Sequence, residues 1–369
     1  MKIAVLTYNL GLNYGGILQS YALMETLKRL EHEPELLFIK TRYQPSWKGV
    51  VKKNLLSMFS RKYKNLHDGR IYKNTFDFVD KYIHPKTQPL ENADDFSNIE
   101  KNNYDAYVVG SDQVWRARMF RHIDRAFFGF VKSDKPILLS YAPSFGVETW
   151  DYTEEETKKY QKQIQRFSGV SVREDSGVAL CKTYLNKDAV HVLDPTMLLS
   201  ADDYRQLIIA ENEPNHSGGL LTYILDETVE KLESVDMILE ELKISSFKIN
   251  AKAHLAENID DMVYPTVTSW LKGFDDAQYV ITDSFHGCVF AILFNKPFIA
   301  YGNKNRGMAR FKSLLKMFGL ENRLVVNKSD LNKNVIGEKI DWNVVNSQLN
   351  EHRQFSKQFV IDVLNTKKI

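Results

Sequence analysis

Residues 279–293 read YVITDSFHGCVFAIL. A short β-rich apolar run ends at Asp283-Ser284, and an apolar stretch of helical length begins at Phe285. The pattern is a buried strand turning directly into a helix, and it places His286 at the junction. In an open parallel sheet, ligands gather beyond the carboxyl ends of the strands. A helix that starts there offers unpaired amides and the positive end of its dipole, a ready site for phosphate. A histidine at a helix start can also simply cap it or pack, so the rest of the chain must decide.

Working outward, the same alternation recurs. KIAVLTY (2–8) is a bounded apolar run, followed by the loop NLGLNYGG and by Ile17, Leu18, Tyr21, Ala22 and Leu27 at helical spacing. ELLFIK (35–40) completes a β-α-β unit. Further strand candidates are AYVVGS (106–111), ILLSYA (137–142), VSVRE (170–174) and VHVLD (190–194). Between two of them lies TEEETKKYQKQIQRF (153–167), whose Thr153 and Glu156 have capping-box spacing. The stretch 193–219, with Pro195, Pro214 and a Gly-Gly pair, interrupts the rhythm, and a domain boundary is placed near Asn215. Alternation resumes through LLTYIL, FKIN, VTSWLKGF, YVIT, PFIAY, MARFKSLLKMF and RLVV. The expected architecture is α/β: a Rossmann-like half at 1–214, a second at 215–340, and a cleft between them. The amphipathic segment 341–369 is expected to form a helix that crosses back onto the first half.

Residues 41–90 fit neither half. KGVVKKNLLSMFSRKYKNL (48–66) mixes basic, apolar and aromatic residues. It reads as a helical insertion with a solvated charged face, or as an interfacial segment that brings the chain to the inner face of a membrane and a lipid-linked acceptor.

The 369 residues are 43% hydrophobic, ample for a packed core. Lys plus Arg is 49 against 47 for Asp plus Glu, a net charge of +2. Such a balance gives no global attraction to nucleic acid, so an anion site must be local. Two cysteines, Cys181 and Cys288, lack CxxC spacing, which argues against a zinc site or a disulfide framework and fits a reducing cytoplasm. The opening residues read as a strand rather than a signal peptide, and no apolar run approaches the ~20 residues of a spanning helix.

Polar residues cluster at the strand ends. NYGGILQSYAL (13–23) is a strand-to-helix loop with Asn13, Gly15 and Gly16; it is neither G-x-G-x-x-G nor a P-loop, and its glycines serve a tight turn or a ligand. VVGSDQVWR (108–116) aims Ser111, Asp112 and Gln113 into the cleft, where a carboxylate can hydrogen-bond or deprotonate a sugar hydroxyl. SVRED (171–175) carries Arg173, which either pairs with the acids beside it or clamps an anion. YGNKNRGMARF (301–311) brings Lys304, Arg306 and Arg310 to the same edge as His286, suited to a phosphate or carboxylate.

Taken in order, NYGGILQSYAL, YVVGSDQVWR, SVREDSG, LDPTMLL and TDSFHGCVFAI resemble the polysaccharide pyruvyl transferase family over roughly residues 1–327. The resemblance implies a two-domain GT-B-like fold. It also implies transfer of a pyruvyl group from phosphoenolpyruvate to two hydroxyls of a sugar, giving a cyclic ketal and phosphate. Arg173 would then clamp phosphoenolpyruvate and His286 would be the general acid, with phosphoenolpyruvate a donor substrate and neither metal nor cofactor needed. Members of the family often carry an arginine two residues before the histidine. Ser284 stands there in this chain, so either Lys304, Arg306 or Arg310 supplies the missing charge or the donor is bound differently. Two other readings compete: a nucleotide-sugar glycosyltransferase of the same architecture, and a non-catalytic sugar- or anion-binding protein.

Overall fold

The structure is a computed structural model that describes residues 1–8, 10, 11, 13–39, 69–117, 119, 120, 123–251, 256–302 and 307–366. Lys304, Arg306 and residues 41–68 of the basic insertion therefore lie outside the described residues.

The first half runs β1 (Lys2–Leu6), α1 (Tyr14–Arg29), β2 (Glu33–Leu36), α2 (Lys73–Tyr82), α3 (Ala93–Ile99), β3 (Ala106–Val109), α4 (Ile123–Ala126), β4 (Ile137–Ser140), α5 (Glu154–Ile164), β5 (Gly169–Val172), α6 (Asp175–Leu185) and β6 (Val190–His191). A connecting helix, α7 (Ala201–Ala210), leads to the second half: β7 (Leu220–Tyr223), α8 (Val229–Leu242), β8 (Ser246–Phe247), α9 (Val267–Asp276), β9 (Tyr279–Thr282), α10 (Phe285–Leu293), β10 (Phe298–Tyr301), α11 (Met308–Met317), β11 (Leu324–Val325) and α12 (Lys333–Gly337). The chain closes on α13 (Trp342–Leu364). The central strands β3, β4, β7, β9 and β10 are buried at every residue, because helices cover both faces of each sheet. The Thr153–Glu156 capping box that starts α5 is present as its spacing implies.

Two parallel sheets result, ordered β2-β1-β3-β4-β5-β6 and β8-β7-β9-β10-β11. From its second strand, each sheet has the same doubly wound order. The direction of winding reverses between β1 and β3 in one sheet, and between β7 and β9 in the other. Those reversals open crevices beyond the strand ends.

The halves are packed against each other. Tyr14 of α1 stacks on Trp270 of α9 with ring centroids 5.5 Å apart, and its hydroxyl donates to the Pro265 carbonyl at 2.8 Å. Tyr204 of α7 meets Phe290 of α10 edge-on at 5.0 Å. The amide of Asp175, at the start of α6, donates to Ser313 Oγ of α11 at 3.0 Å. As expected, α13 returns to the first half: Ser356 Oγ accepts from the Leu193 amide at 3.0 Å, and Arg353 Nε donates to the Met197 carbonyl at 2.8 Å.

Of the insertion, residues 69–82 are helical, and 83–90 return irregularly along β2. In α2, Lys73, Asp77, Asp80 and Lys81 face solvent while Phe78 and Val79 are buried. Phe78 packs against Tyr21 of the first half, and Asn74 Nδ2 donates to the Tyr264 carbonyl of the second at 2.8 Å. Among the described residues, no helix is long and apolar enough to cross a membrane. Cys181 and Cys288 are free and buried.

Candidate active site

The two crevices face one another and merge into one cleft of about 410 Å³. From the first half its wall takes Tyr8, Asn13, Tyr14, Asp112, Gln113, Arg116 and Met119. From the second it takes Tyr223, Leu225, Asn250, Ala251, Tyr264, Asp283, Ser284, Phe285, His286 and Arg310. Four tyrosines, three cation-forming side chains and two carboxylates thus meet where both sheets reverse.

Asp283 fixes the second wall. Fully buried, it accepts from the amides of Leu225 at 2.7 Å and Asp226 at 3.1 Å, and from Lys231 Nζ at 2.6 Å. The carboxylate ties the loop after β7 to the end of β9, and the lysine balances its charge. Ser284 caps α10, its hydroxyl accepting from the Gly287 amide at 3.4 Å. The position of the expected arginine is therefore filled by a helix cap that lines the cleft without charge. The first-turn amides of Phe285 and His286 have no intrahelical acceptor, and both residues line the cleft.

His286 is 5% exposed, yet it is not walled in by hydrocarbon. Its Nε2 lies 3.6 Å from Asp194 Oδ2, ion-pair range but longer than a hydrogen bond. One face of its ring abuts the first turn of α1: a Cβ on Gly15 would stand 2.0 Å from Nδ1, 2.2 Å from Cγ and 2.6 Å from Cε1. Neither Gly15 nor Gly16 adopts a positive φ, so of the two roles open to them, tight turn or ligand contact, the left-handed turn is not what the backbone uses them for. Gly15 is where the imidazole of one half fits against the backbone of the other, while a Cβ on Gly16 would first meet the Asn13 side chain, Nδ2 at 3.3 Å and Cβ and Cγ at 3.5 Å.

On the opposite wall, Asp112 is held in the left-handed region, φ 68°, which an aspartate tolerates better than most residues. Its carboxylate accepts from Asn13 Nδ2 at 3.1 Å and from the Gln113 amide at 2.8 Å. The Gln113 side chain accepts from Arg116 Nη1 at 2.6 Å and so aims that guanidinium. Arg310 enters the cleft from α11 with only 7% of its surface exposed, its guanidinium carbon 5.6 Å from the centre of the Phe285 ring. Burial, and then the charge of Arg173, push its pKa down to about 10, which leaves it a cation at neutral pH.

Arg173 departs from the clamp expected of it. Its side chain is 1% exposed and does not reach the cleft wall. The guanidinium lies 2.9 Å from Asp194, 3.6 Å from Asp112 and 3.7 Å from Glu174. Burial opposes its charge, but those three carboxylates outweigh burial and raise its pKa. Arg173 is thus a buried counter-ion to its acidic neighbours. Ser111 is buried as well and donates to Asp194 Oδ2 at 3.2 Å rather than facing the cleft.

The structure adds residues the sequence did not single out. Asp194, the aspartate of LDPTMLL, touches both Arg173 and His286. Burial would raise its carboxyl, but His286, Arg173 and Thr196 together hold it well below the usual range. Glu174 moves the other way, raised by burial despite Arg173 and Ser144. Arg116, at the end of VVGSDQVWR, joins Arg310 as a described cation of the cleft. Among the described residues, no group of three or more His, Cys, Asp or Glu is placed to hold a metal ion.

Comparison with known proteins bears on what such a cleft belongs to. Among solved structures, the fold is similar to a UDP-N-acetylglucosamine 2-epimerase from Rickettsia bellii at 12% identity and TM-score 0.54, covering 98% of this chain and 95% of that one. It is also similar to UDP-bound MnaA of S. aureus at 11% identity and TM-score 0.51, covering 100% and 98%. A glycosyltransferase from Rickettsia africae matches at 11% identity and TM-score 0.50, covering 98% and 93%. At such identities the likeness is one of fold, and it places the two parallel-sheet halves in the GT-B-like architecture. No curated protein matches significantly. The family model for polysaccharide pyruvyl transferase matches residues 13–305, which include Asn13, Asp112, Asp194 and His286, and by that match the chain belongs to the polysaccharide pyruvyl transferase family.

Proposed function

We propose that the chain transfers the pyruvyl group of phosphoenolpyruvate to two hydroxyls of a sugar, in a polysaccharide or its precursor, and releases phosphate. One observation carries the reading. A single cleft holds an imidazole, two guanidiniums, a helix start and a carboxylate, the set that a small anion with a phosphate and a carboxylate requires.

Arg310 and the first turn of α10 bind one anionic group, and Arg116 binds the other. His286 protonates the methylene carbon, which becomes the methyl group, and positive charge develops at the adjacent carbon. The first sugar hydroxyl bonds there as Asp112 takes or orients its proton, an effect of general acid–base catalysis worth about 10²–10⁴-fold. The carbon–oxygen bond to phosphate then breaks, with the amides at the start of α10 taking up the developing charge. The second hydroxyl closes the ketal, and its proton leaves with phosphate. The tyrosines of the wall supply flat apolar faces for the sugar ring, with Asn250 as a polar partner beside them.

The test is phosphate release from phosphoenolpyruvate against a panel of sugars, run beside consumption of UDP-sugars. The proposal requires phosphate release that depends on a sugar and disappears in His286→Ala while the protein stays folded. Turnover of a UDP-sugar alone would favour the glycosyltransferase reading. Binding of phosphoenolpyruvate without release on any acceptor would favour a binding protein.

A further inference from the structure

Asp194 has more contacts than its local role needs. It follows β6 in the first half and caps the short helical turn Pro195–Leu198, with proline in the first turn as helix starts allow. The cap uses one oxygen: Oδ1 accepts from the Thr196 amide at 3.0 Å and from Thr196 Oγ1 at 2.6 Å. Serine or asparagine would do the same without burying a charge. The second oxygen, Oδ2, accepts from Ser111 Oγ at 3.2 Å and Arg173 Nη1 at 2.9 Å, and faces His286 Nε2 at 3.6 Å.

A carboxylate with no exposed surface is costly unless paired. Arg173 meets that cost on one side, its Nη1 at 2.9 Å. On the other side, His286 Nε2 is a buried ring nitrogen with no hydrogen-bond partner within reach. The first half thereby bounds the ring on two sides, Asp194 at the Nε2 edge and Gly15 against one face. Arg173 also lies 3.6 Å from Asp112, so a buried line of alternating charge joins the acceptor-side carboxylate to the imidazole.

We propose that Asp194 is a positioning residue that reaches across from the first half to fix the orientation and tautomer of the His286 ring. This rests on reading His286 as the proton donor. A carboxylate facing Nε2 favours the tautomer with the proton on that nitrogen and steadies the ring when both nitrogens are protonated. Asp194 stays ionised throughout. The proton delivered to the methylene carbon leaves Nδ1 of the doubly protonated ring while Nε2–H stays turned to Asp194, and Nδ1 is recharged with the proton that Asp112 takes from an acceptor hydroxyl. Because Asp194 and His286 belong to different halves, the oriented acid exists only while the halves are docked.

The experiment uses full-length protein with ¹⁵N-labelled histidine, assigned by comparison with His286→Ala. The tautomer of His286 is read from its ring nitrogen shifts in the wild type and in Asp194→Asn. The Nε2–H form is expected to dominate in the wild type and to lose that dominance in the variant. In parallel, kcat should fall by about 10²-fold with KM for phosphoenolpyruvate within about threefold. Should Asp194→Asn not fold, Thr196→Val removes one bond to the carboxylate while keeping its charge; a mixed tautomer and a severalfold loss of kcat are expected. Wild-type tautomer populations with kcat within threefold, in whichever variant folds, would overturn the proposal. The ring signals do not depend on the donor, so a wild-type protein inert toward phosphoenolpyruvate would count against the reaction and leave the tautomer to decide on Asp194.

Discussion

Gly15→Ala isolates the contact that brings the two halves together at the imidazole. The new Cβ would lie 2.0 Å from His286 Nδ1, 2.2 Å from Cγ and 2.6 Å from Cε1. Ordinary contact begins near 3.4 Å, so the ring or the first turn of α1 must shift by about 1.4 Å. The backbone does not object, since Gly15 has no positive φ, and alanine improves helix propensity by roughly 1 kcal/mol. Any loss therefore comes from the clash, worth about 1–3 kcal/mol of overpacking in a packed site. A reacting group misplaced by about 1 Å costs on the order of 10²-fold in rate. The prediction is a folded protein with cooperative unfolding and a kcat for phosphate release lowered by about 10²-fold. Gly16→Ala is the control, because its Cβ would meet a flexible asparagine side chain at 3.3 Å, and kcat should stay within a few-fold. Equal activities for the two variants, or a Gly15→Ala enzyme as fast as the wild type, would refute the reasoning.

Arg310→Met should weaken phosphoenolpyruvate binding about 10–100-fold by calorimetry without acceptor, the loss of charge-assisted hydrogen bonds worth roughly 1.5–3 kcal/mol. Arg173→Met should instead act on stability, by about 3–5 kcal/mol in urea unfolding, because it strands Asp194 and its neighbours in the interior; a substrate clamp would reverse that ranking. Stability should also fall in acid through Asp194. Its folded pKa is depressed, so its contribution is present above the unfolded value of about 3.9 and is lost as pH drops below about 4. Asp194→Asn should flatten that part of a urea-midpoint profile against pH, and an unchanged acid limb would contradict the assignment.

The central strands and α13 were legible because burial on both faces leaves continuous apolar runs, and because a 3.6-residue stripe such as Val345, Leu349 and Val360 has no competing explanation. His286 and Asp112 were legible for a topological reason: residues just past parallel strands face the crevice. The same rule failed at Arg173 and Ser111. They too follow strands, but their neighbours in space, Asp194 and Glu174, turn them inward. Pattern along one strand cannot show which of its polar ends meets a counter-charge from another. Asp194 was hidden by its own local role, since Asp-Pro-Thr already accounts for a cap. Gly15 was hidden because its partner is 271 positions away in the other half. The stretch read as a helical or interfacial insertion, 48–66, lies outside the described residues, while α2 downstream of it turns charged residues to solvent. Its contacts with both halves could not be inferred from a segment of its composition.

The central claim is that one cleft joins phosphoenolpyruvate to a sugar through His286. Following a reaction of phosphoenolpyruvate, sugar and enzyme by ³¹P and ¹H resonance tests it directly. The account predicts inorganic phosphate appearing in step with a new ketal methyl signal, and neither signal with His286→Ala. Full ketal formation by that variant, or phosphate released with pyruvate left free in solution, would contradict it.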